Sequence, residues 1–499
     1  MNFRKDWMDR WATYAPIKMA VNDADTGENY TYQQLNSQSN YLAQSLEEMG
    51  LTKGDRVAVL SEYRLEYIVL LGAAMKLGIT IVPLNYRLSS RELAYMINNC
   101  EPKLIVSEEK YENLYSPELI ECDIQSVILM DEFASDLSKK INVSYTYEAK
   151  EIEDDHPLFI IYTSGTTGFP KGAIYTHKMA FWNAVNTQAR LDLTSRDHTI
   201  ICMPPFHTGG WNVLLMPFLL QGGSFTLLRK FDASIVMKLL GDEEATLFMG
   251  VPTMLKMMSE VPEFESISLD SLRYFIVGGE AMPLPLIQQW QKKGTPIRQG
   301  FGLTEVGPNV FSLHQDDAIR KIGSIGTPNF FIETKLMKSD GTEADANEEG
   351  ELWLKGPVTT PGYWENIEAT LKSFTEGWFK TGDILVRDEG GYYFVKDRIK
   401  NMFISGGENV YPAEVERFLQ THPEINEVAV IAIQDDKWGE AGKAIIIKKD
   451  TSLSKDLVIH FCKGSLAKYK IPKEVEFVTE LPKTASGKID RKKLKASYA

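Results

Sequence analysis

From residue 31 to residue 303 the chain alternates short apolar runs with stretches whose apolar positions recur at helical spacing. Thr31-Tyr32-Gln33-Gln34 has the form of a capping box, and Leu35, Leu42, Leu46 and Met49 keep one helical face up to Gly50. The pattern then predicts a strand at 55–60, a helix at 65–77, a strand at 79–84, a helix at 91–99 and a strand at 103–106. The apolar runs 125–130 and 158–162 continue the series. A second series predicts strands near 199–203, 224–228, 246–250 and 273–277, with helices near 212–221, 232–241, 252–260 and 283–293. Such alternation predicts an α/β fold with helices on the sheet faces. From about 322 to 396 the texture changes to glycines and short alternating runs, as in Glu351-Leu352-Trp353-Leu354-Lys355, which predicts a small β-rich subdomain. Past Asp397 the pattern reads βαββα, with a helix opened by Pro412 and ending at Leu419, strands at 427–433 and 443–448, and a helix at 454–466. The basic tail 488–495 reads as a solvated helix face.

Composition narrows the classes. A content of 43% hydrophobic and 24% charged residues argues against wholesale disorder, and 499 residues suffice for large cores. Fifty-four basic against 68 acidic residues give a formal charge of −14, which disfavours general nucleic-acid binding. An anionic substrate then needs a local basic pocket. Cys100, Cys122, Cys202 and Cys462 are scattered without a C-x-x-C pair, so neither a zinc site nor a disulfide framework is expected. The N-terminus lacks the apolar core of a signal peptide, and the longest apolar stretch, 67–84, is broken by Lys76, Gly78 and Pro83. A cytoplasmic protein without a transmembrane segment is the expectation. A homodimer is open to it, though the sequence does not decide the assembly.

Candidate chemistry centres on Tyr162-Thr163-Ser164-Gly165-Thr166-Thr167-Gly168-Phe169-Pro170-Lys171-Gly172, which follows a short apolar run. Bare backbone N–H groups, hydroxyls and an ammonium suit a chain of phosphates. Most Gly/Ser/Thr turns are simple connections, but the lysine behind a buried strand tips the balance toward a ligand. Lys171 precedes Gly172 rather than Ser or Thr, so the stretch is not a Walker loop. Further on, Gly300-Phe301-Gly302-Leu303-Thr304-Glu305 sets an aromatic between glycines, where it can stack on a purine. Thr304 can bond a phosphate oxygen, and Glu305 can hold Mg²⁺, which favours hard oxygen ligands. Asp383, after the glycine turn of Trp378-Phe379-Lys380-Thr381-Gly382, is a candidate acceptor for ribose hydroxyls. Pro205-Phe206-His207-Thr208-Gly209-Gly210 describes a narrow apolar slot. Phe206, Trp211, Val251, Pro252 and the glycine pair are its expected lining. No second basic residue stands out in those segments to hold a dicarboxylate.

Together with Gly278-Gly279-Glu280-Ala281, the 397–412 stretch and Pro482-Lys483-Thr484-Ala485-Ser486-Gly487-Lys488, these motifs occur in the order of the adenylate-forming superfamily. The chain resembles its fatty-acyl-CoA synthetases over nearly its whole length. The family more usually has Tyr at the position of Phe301. The resemblance implies a large N-terminal unit of α/β sheets plus a β-rich subdomain, 1–399, and a small mobile α+β C-terminal unit, 400–499, hinged at Lys400. It implies that Thr163, Ser164, Gly165, Thr166, Thr167 and Lys171 hold the β- and γ-phosphates of ATP. It places Gly279, Glu280, Ala281, Gly300, Phe301 and Gly302 at the adenine, and Asp383 and Arg398 at the ribose. His207 falls beside the activated carboxylate, and Gly406 and Gly407 on the loop that closes against the pantetheine arm of CoA. Lys488 bridges the carboxylate and the α-phosphate. The implied catalytic set is Lys488, His207, Thr304 and Glu305, with Mg²⁺ on Glu305 and with ATP, coenzyme A and a carboxylic acid as substrates. The implied activity is a fatty acid–CoA ligase working through acyl-AMP. The alternatives are an aryl-CoA ligase of the coumarate or o-succinylbenzoate type, or a carrier-protein-loading or luciferase-like adenylating enzyme.

Overall fold

The computed structural model describes residues 6–115, 117–140, 143–163, 170–279, 282–405, 408–435, 438–449, 452–463, 465–484 and 487–499. The expected site residues Ser164, Gly165, Thr166, Thr167, Glu280, Ala281, Gly406 and Gly407 lie outside them.

The large unit is mixed α/β and contains two extended sheets. One has six strands in the order Ser126–Leu129, Leu104–Ser107, Arg56–Leu60, Thr80–Pro83, Pro157–Thr163 and Lys171–Thr176. All run parallel except the last, which returns antiparallel to its neighbour, with Thr163 opposite Lys171. Pro157–Thr163 and Lys171–Thr176 are therefore the two arms of a hairpin. The other sheet has nine strands, of which Ile297–Phe301, Tyr274–Val277, Leu247–Gly250, His198–Ile201, Ser224–Leu227 and Met19–Asp23 are mutually parallel neighbours.

Local chemistry explains the elements. Thr31 accepts from the Gln34 amide at 3.2 Å while Gln34 accepts from the Thr31 amide at 2.9 Å, closing the capping box of the helix Tyr32–Glu48. The helix Leu65–Leu77 is buried at every position except Glu66. It shares one core with Val57 and Val59 of the six-stranded sheet and with Phe225 and Leu247 of the nine-stranded one. A helix apolar all round fits such a sandwiched place. Its Lys76 is buried, and Asp6 at 2.5 Å and Asn36 at 2.7 Å satisfy the ammonium. The helix expected at 212–221 is two pieces, Thr208–Asn212 and Leu215–Gln221.

A five-stranded antiparallel sheet, Glu333–Met337 to Tyr393–Arg398, makes the β-rich part. The small unit then builds its own cores from residues between Phe403 and Leu494, so the break between cores falls between Val395 and Phe403. Its last helix, Arg491–Tyr498, is not merely a solvated face. Arg491 grips the Glu416 carboxylate with both terminal nitrogens, at 2.7 and 2.6 Å, and donates to Val430 O at 2.9 Å. The helix expected at 454–466 is shorter, Lys455–Cys462. The four cysteines are unpaired thiols. Among the described residues, no helix is long and apolar enough to cross a membrane.

Candidate active site

The parallel strands of the nine-stranded sheet end together at Ile201, Gly250, Val277 and Phe301, where open α/β sheets collect ligands. Glycines line this rim for steric reasons. A Cβ on Gly302 would lie 2.2 Å from Pro308 O, and one on Gly210 would lie 2.6 Å from Pro204 O. Gly279 has φ +84°, a backbone that favours glycine. Phe301 is partly buried and meets Phe311 edge-on, with centroids 5.9 Å apart. Thr304 and Glu305 begin the 3₁₀ turn Thr304–Val306 immediately after it.

The expected ribose corner is a cross-strand pair. Asp383 stands opposite Arg398 in adjacent antiparallel strands, and its Oδ1 accepts from Arg398 Nε at 2.8 Å. Asp383 is only 2% exposed, and its Oδ2 has no protein partner. Burial raises its carboxyl pKa, against the opposing pull of Arg398 and Lys488. A buried carboxylate oxygen left open calls for a donor from outside the chain.

Lys171 opens the returning strand of the hairpin, and Thr163 donates its hydroxyl to Lys171 O at 3.4 Å. The Lys171 ammonium lies 5.2 Å from the ring centroid of Tyr363, whose phenol donates to Glu305 Oε1 at 2.9 Å. Tyr363 belonged to no motif and was missed. The bulky Pro-Gly-Tyr-Trp sequence at 361–364 was the only signal for it.

His207 caps the backbone start of the short helix Thr208–Asn212. Its ring meets Phe206 at 4.6 Å, and its Nε2 is buried without a partner. Burial, then the charges of Lys488 and Arg87, lower its pKa to about 4, so the imidazole is neutral at neutral pH. Arg87 lies over the Phe206 ring at 5.5 Å and so brings a basic group to the expected slot from outside its motif. Trp211 is not a slot residue. It is fully buried against Tyr63, Tyr67 and Phe159, with its indole N–H on Pro205 O at 2.6 Å. The slot side of Gly209 faces the methyl groups of Met249 and Met203, 3.7 and 3.9 Å from where a Cβ would start.

Lys488 reaches this centre from the small unit. Its turn is closed by Thr484 N–H on Lys488 O at 2.7 Å and Gly487 N–H on Thr484 O at 2.9 Å, with Gly487 at φ +84°. The Lys488 charge acts on His207, Asp383 and Lys400 alike, and with burial and Arg398 it lowers the Lys400 pKa. Polar links join the two units. Tyr411 donates to Glu349 at 2.7 Å, and Lys256 to Asn426 at 2.9 Å. Asp397 accepts from the amides of Arg398 and Ala413, each at 2.7 Å, and from the Asn401 side chain at 2.9 Å. A buried carboxylate thus straddles Lys400.

Residues 8–364 fit the AMP-binding enzyme model and 414–488 its C-terminal domain. The chain belongs to the AMP-binding enzyme family. This AMP-binding enzyme is 35% identical over 495 residues to a long-chain-fatty-acid–CoA ligase of Mycobacterium tuberculosis, covering 99% of this chain and 98% of the relative. It is 36% identical over 488 residues to feruloyl-CoA synthase of an Amycolatopsis species, covering 97% and 96%. Among solved structures it resembles o-succinylbenzoate coenzyme A synthetase of Bacillus subtilis in complex with ATP and magnesium, with TM-score 0.87 and 30% identity over 98% of this chain and 99% of that one. It is an acid–thiol ligase of the AMP-binding family.

Proposed function

We propose that this enzyme activates a largely apolar carboxylic acid with ATP and passes the acyl group to CoA. The observation that carries the reading is the open oxygen of buried Asp383, beside Arg398 and within electrostatic reach of Lys488. In the first half-reaction a carboxylate oxygen attacks the α-phosphorus, the bond to the bridging oxygen breaks, and pyrophosphate leaves. Lys488 offsets the repulsion between the two anions and the charge developing at phosphorus. Asp383 accepts from the ribose hydroxyls, Arg398 reaches the same sugar, and Phe301 with 278–281 receives the adenine. Lys171 and the hydroxyls of 163–167 take the departing phosphates, and Thr304 bonds a phosphate oxygen. Neutral His207 lies beside the carboxylate.

Glu305 offers a hard carboxylate oxygen of the kind magnesium prefers, held in place by the Tyr363 phenol. When bound, magnesium supplies neutralisation of phosphate charge. For the second half-reaction the small unit turns about Lys400, withdraws Lys488 and brings up the 406–407 loop. The CoA thiolate attacks the acyl carbonyl, and the carbon–oxygen bond to AMP breaks.

A fatty acid is the first reading for the substrate. The methionine methyls around Gly209 form an adaptable apolar wall. An aryl acid is the second, favoured by the aromatic rings of Phe206 and Tyr86, 5.0 Å apart beside His207. In this reading the enzyme works in the cytoplasm on free acid, ATP and CoA. Pyrophosphate release from a panel of fatty and aryl acids, with and without CoA, tests it. Thioester formation with fatty acids preferred is expected. Adenylate formation with no thioester from any acid would overturn the ligase reading of the second step.

A further inference from the structure

The segment 360–364 crosses between the lysine-bearing hairpin and the turn that carries Glu305. On the hairpin side, Trp364 N–H donates to Gly172 O at 2.7 Å and Ile174 N–H donates to Gly362 O at 3.1 Å. The Thr360 hydroxyl adds a bond to Ile174 O at 2.7 Å. On the other side, Thr360 N–H donates to Glu305 O at 2.7 Å. The Tyr363 amide is itself tied to the Thr370 hydroxyl at 2.9 Å. Tyr363 is therefore fixed at its backbone from several directions, and its side chain meets two groups of the site at once. The phenol donates to Glu305 Oε1 at 2.9 Å, and the ring lies 5.2 Å from the Lys171 ammonium, within range of a cation–π contact.

We propose that Tyr363 is a positioning residue that couples the cation ligand to the phosphate ligand, an inference resting on the roles given above to Glu305 and Lys171. The phenol holds Glu305 by Oε1 and so would preset the orientation in which the carboxylate meets the cation. The ring holds the Lys171 ammonium by its face, a contact that an arriving phosphate can join rather than displace. The two contacts use different parts of one side chain. They separate by substitution: Tyr363→Phe removes the hydroxyl and keeps the ring, while Tyr363→Leu removes both. A residue needed only for packing would not distinguish magnesium-dependent from magnesium-independent binding.

Calorimetric titration of the full chain with a non-hydrolysable ATP analogue, once with Mg²⁺ and once in EDTA, reads the difference. In Tyr363→Phe the affinity in EDTA is expected to stay within about twofold of the parent, while the gain conferred by Mg²⁺ falls about tenfold. In Tyr363→Leu both fall. Equal weakening of Tyr363→Phe in the two conditions, or no change in either, overturns the proposal. Should Tyr363→Leu fail to fold, the Phe variant decides alone, since it keeps the ring. Glu305→Gln tests the underlying reading separately. An intact Mg²⁺ gain there overturns the role of Glu305 and the coupling with it. A lost gain in Glu305→Gln beside an intact gain in Tyr363→Phe overturns the coupling only.

Discussion

The two lysines of the site are held in opposite ways. Lys171 opens a strand of the six-stranded sheet, is paired in register with Thr163 and rests on Tyr363. Lys488 sits in a turn of the small unit, whose cores are separate from those of the large unit and joined to it by links such as Tyr411–Glu349 and Lys256–Asn426. One cation belongs to the fold and the other to an arrangement of two folded units. The difference matches the division of labour proposed above. Phosphates must be gripped on arrival, whereas the charge at the reacting bond is wanted for one half-reaction and is in the way for the next.

The largest effect that sharpens this comparison is loss of the conditional lysine. Lys488→Ala should slow pyrophosphate release about 10³-fold while leaving thioester formation from supplied acyl-AMP nearly intact. Equal loss of both half-reactions would place Lys488 in the permanent site instead. Next comes His207, which reports the docked lysine. Its pKa near 4 should rise on removing Lys488, yet stay below the ordinary 6.5, because burial is the larger cause; NMR titration of the labelled imidazole reads this. The same depression has a stability consequence. The unfolded chain binds the proton more tightly, so the neutral imidazole's contribution is complete above about pH 6.5 and is lost as the pH falls toward 4. Unfolding midpoints in urea should show about 3 kcal/mol lost across that window, and His207→Asn should flatten it. Smaller still, Lys171→Ala should raise the KM for ATP about tenfold, with kcat changed less. The smallest effect is at the seam. Tyr411→Phe removes the bond to Glu349 and should slow the first half-reaction about two- to threefold without slowing the second.

The strands and helices that make the large unit were legible because buried parallel strands read as continuous apolar runs. Those near 56–60, 104–107, 247–250 and 274–277 fall within a residue or two of expectation. Which runs share a sheet was not legible, since pairing Met19–Asp23 with Ser224–Leu227 depends on chain closure and not on local pattern. The return of the hairpin after Lys171 was hidden for the same reason. In the site, Lys171, Glu305, Asp383, Arg398 and Lys488 could be named from their motifs. What brings Asp383 to Arg398, or Lys488 to His207, is register and docking. Tyr363 and Asp397 escaped because their partners, Glu305 and Ala413, stand in other segments. Trp211 misled because an aromatic beside paired glycines resembles a slot wall, while the fold turns that side chain into the core.

Asp397 gives the seam a direction. The helix Pro412–Leu419 begins without a cap from its own N-terminal side chain, and the amide of its second residue, Ala413, is satisfied by Asp397 from across Lys400. In the proposed rotation about Lys400 that amide would lose its acceptor, at a cost of about 0.5–2 kcal/mol for an uncapped helix start. Under the proposed function, the bond would therefore favour the arrangement for acid and ATP over the one for CoA.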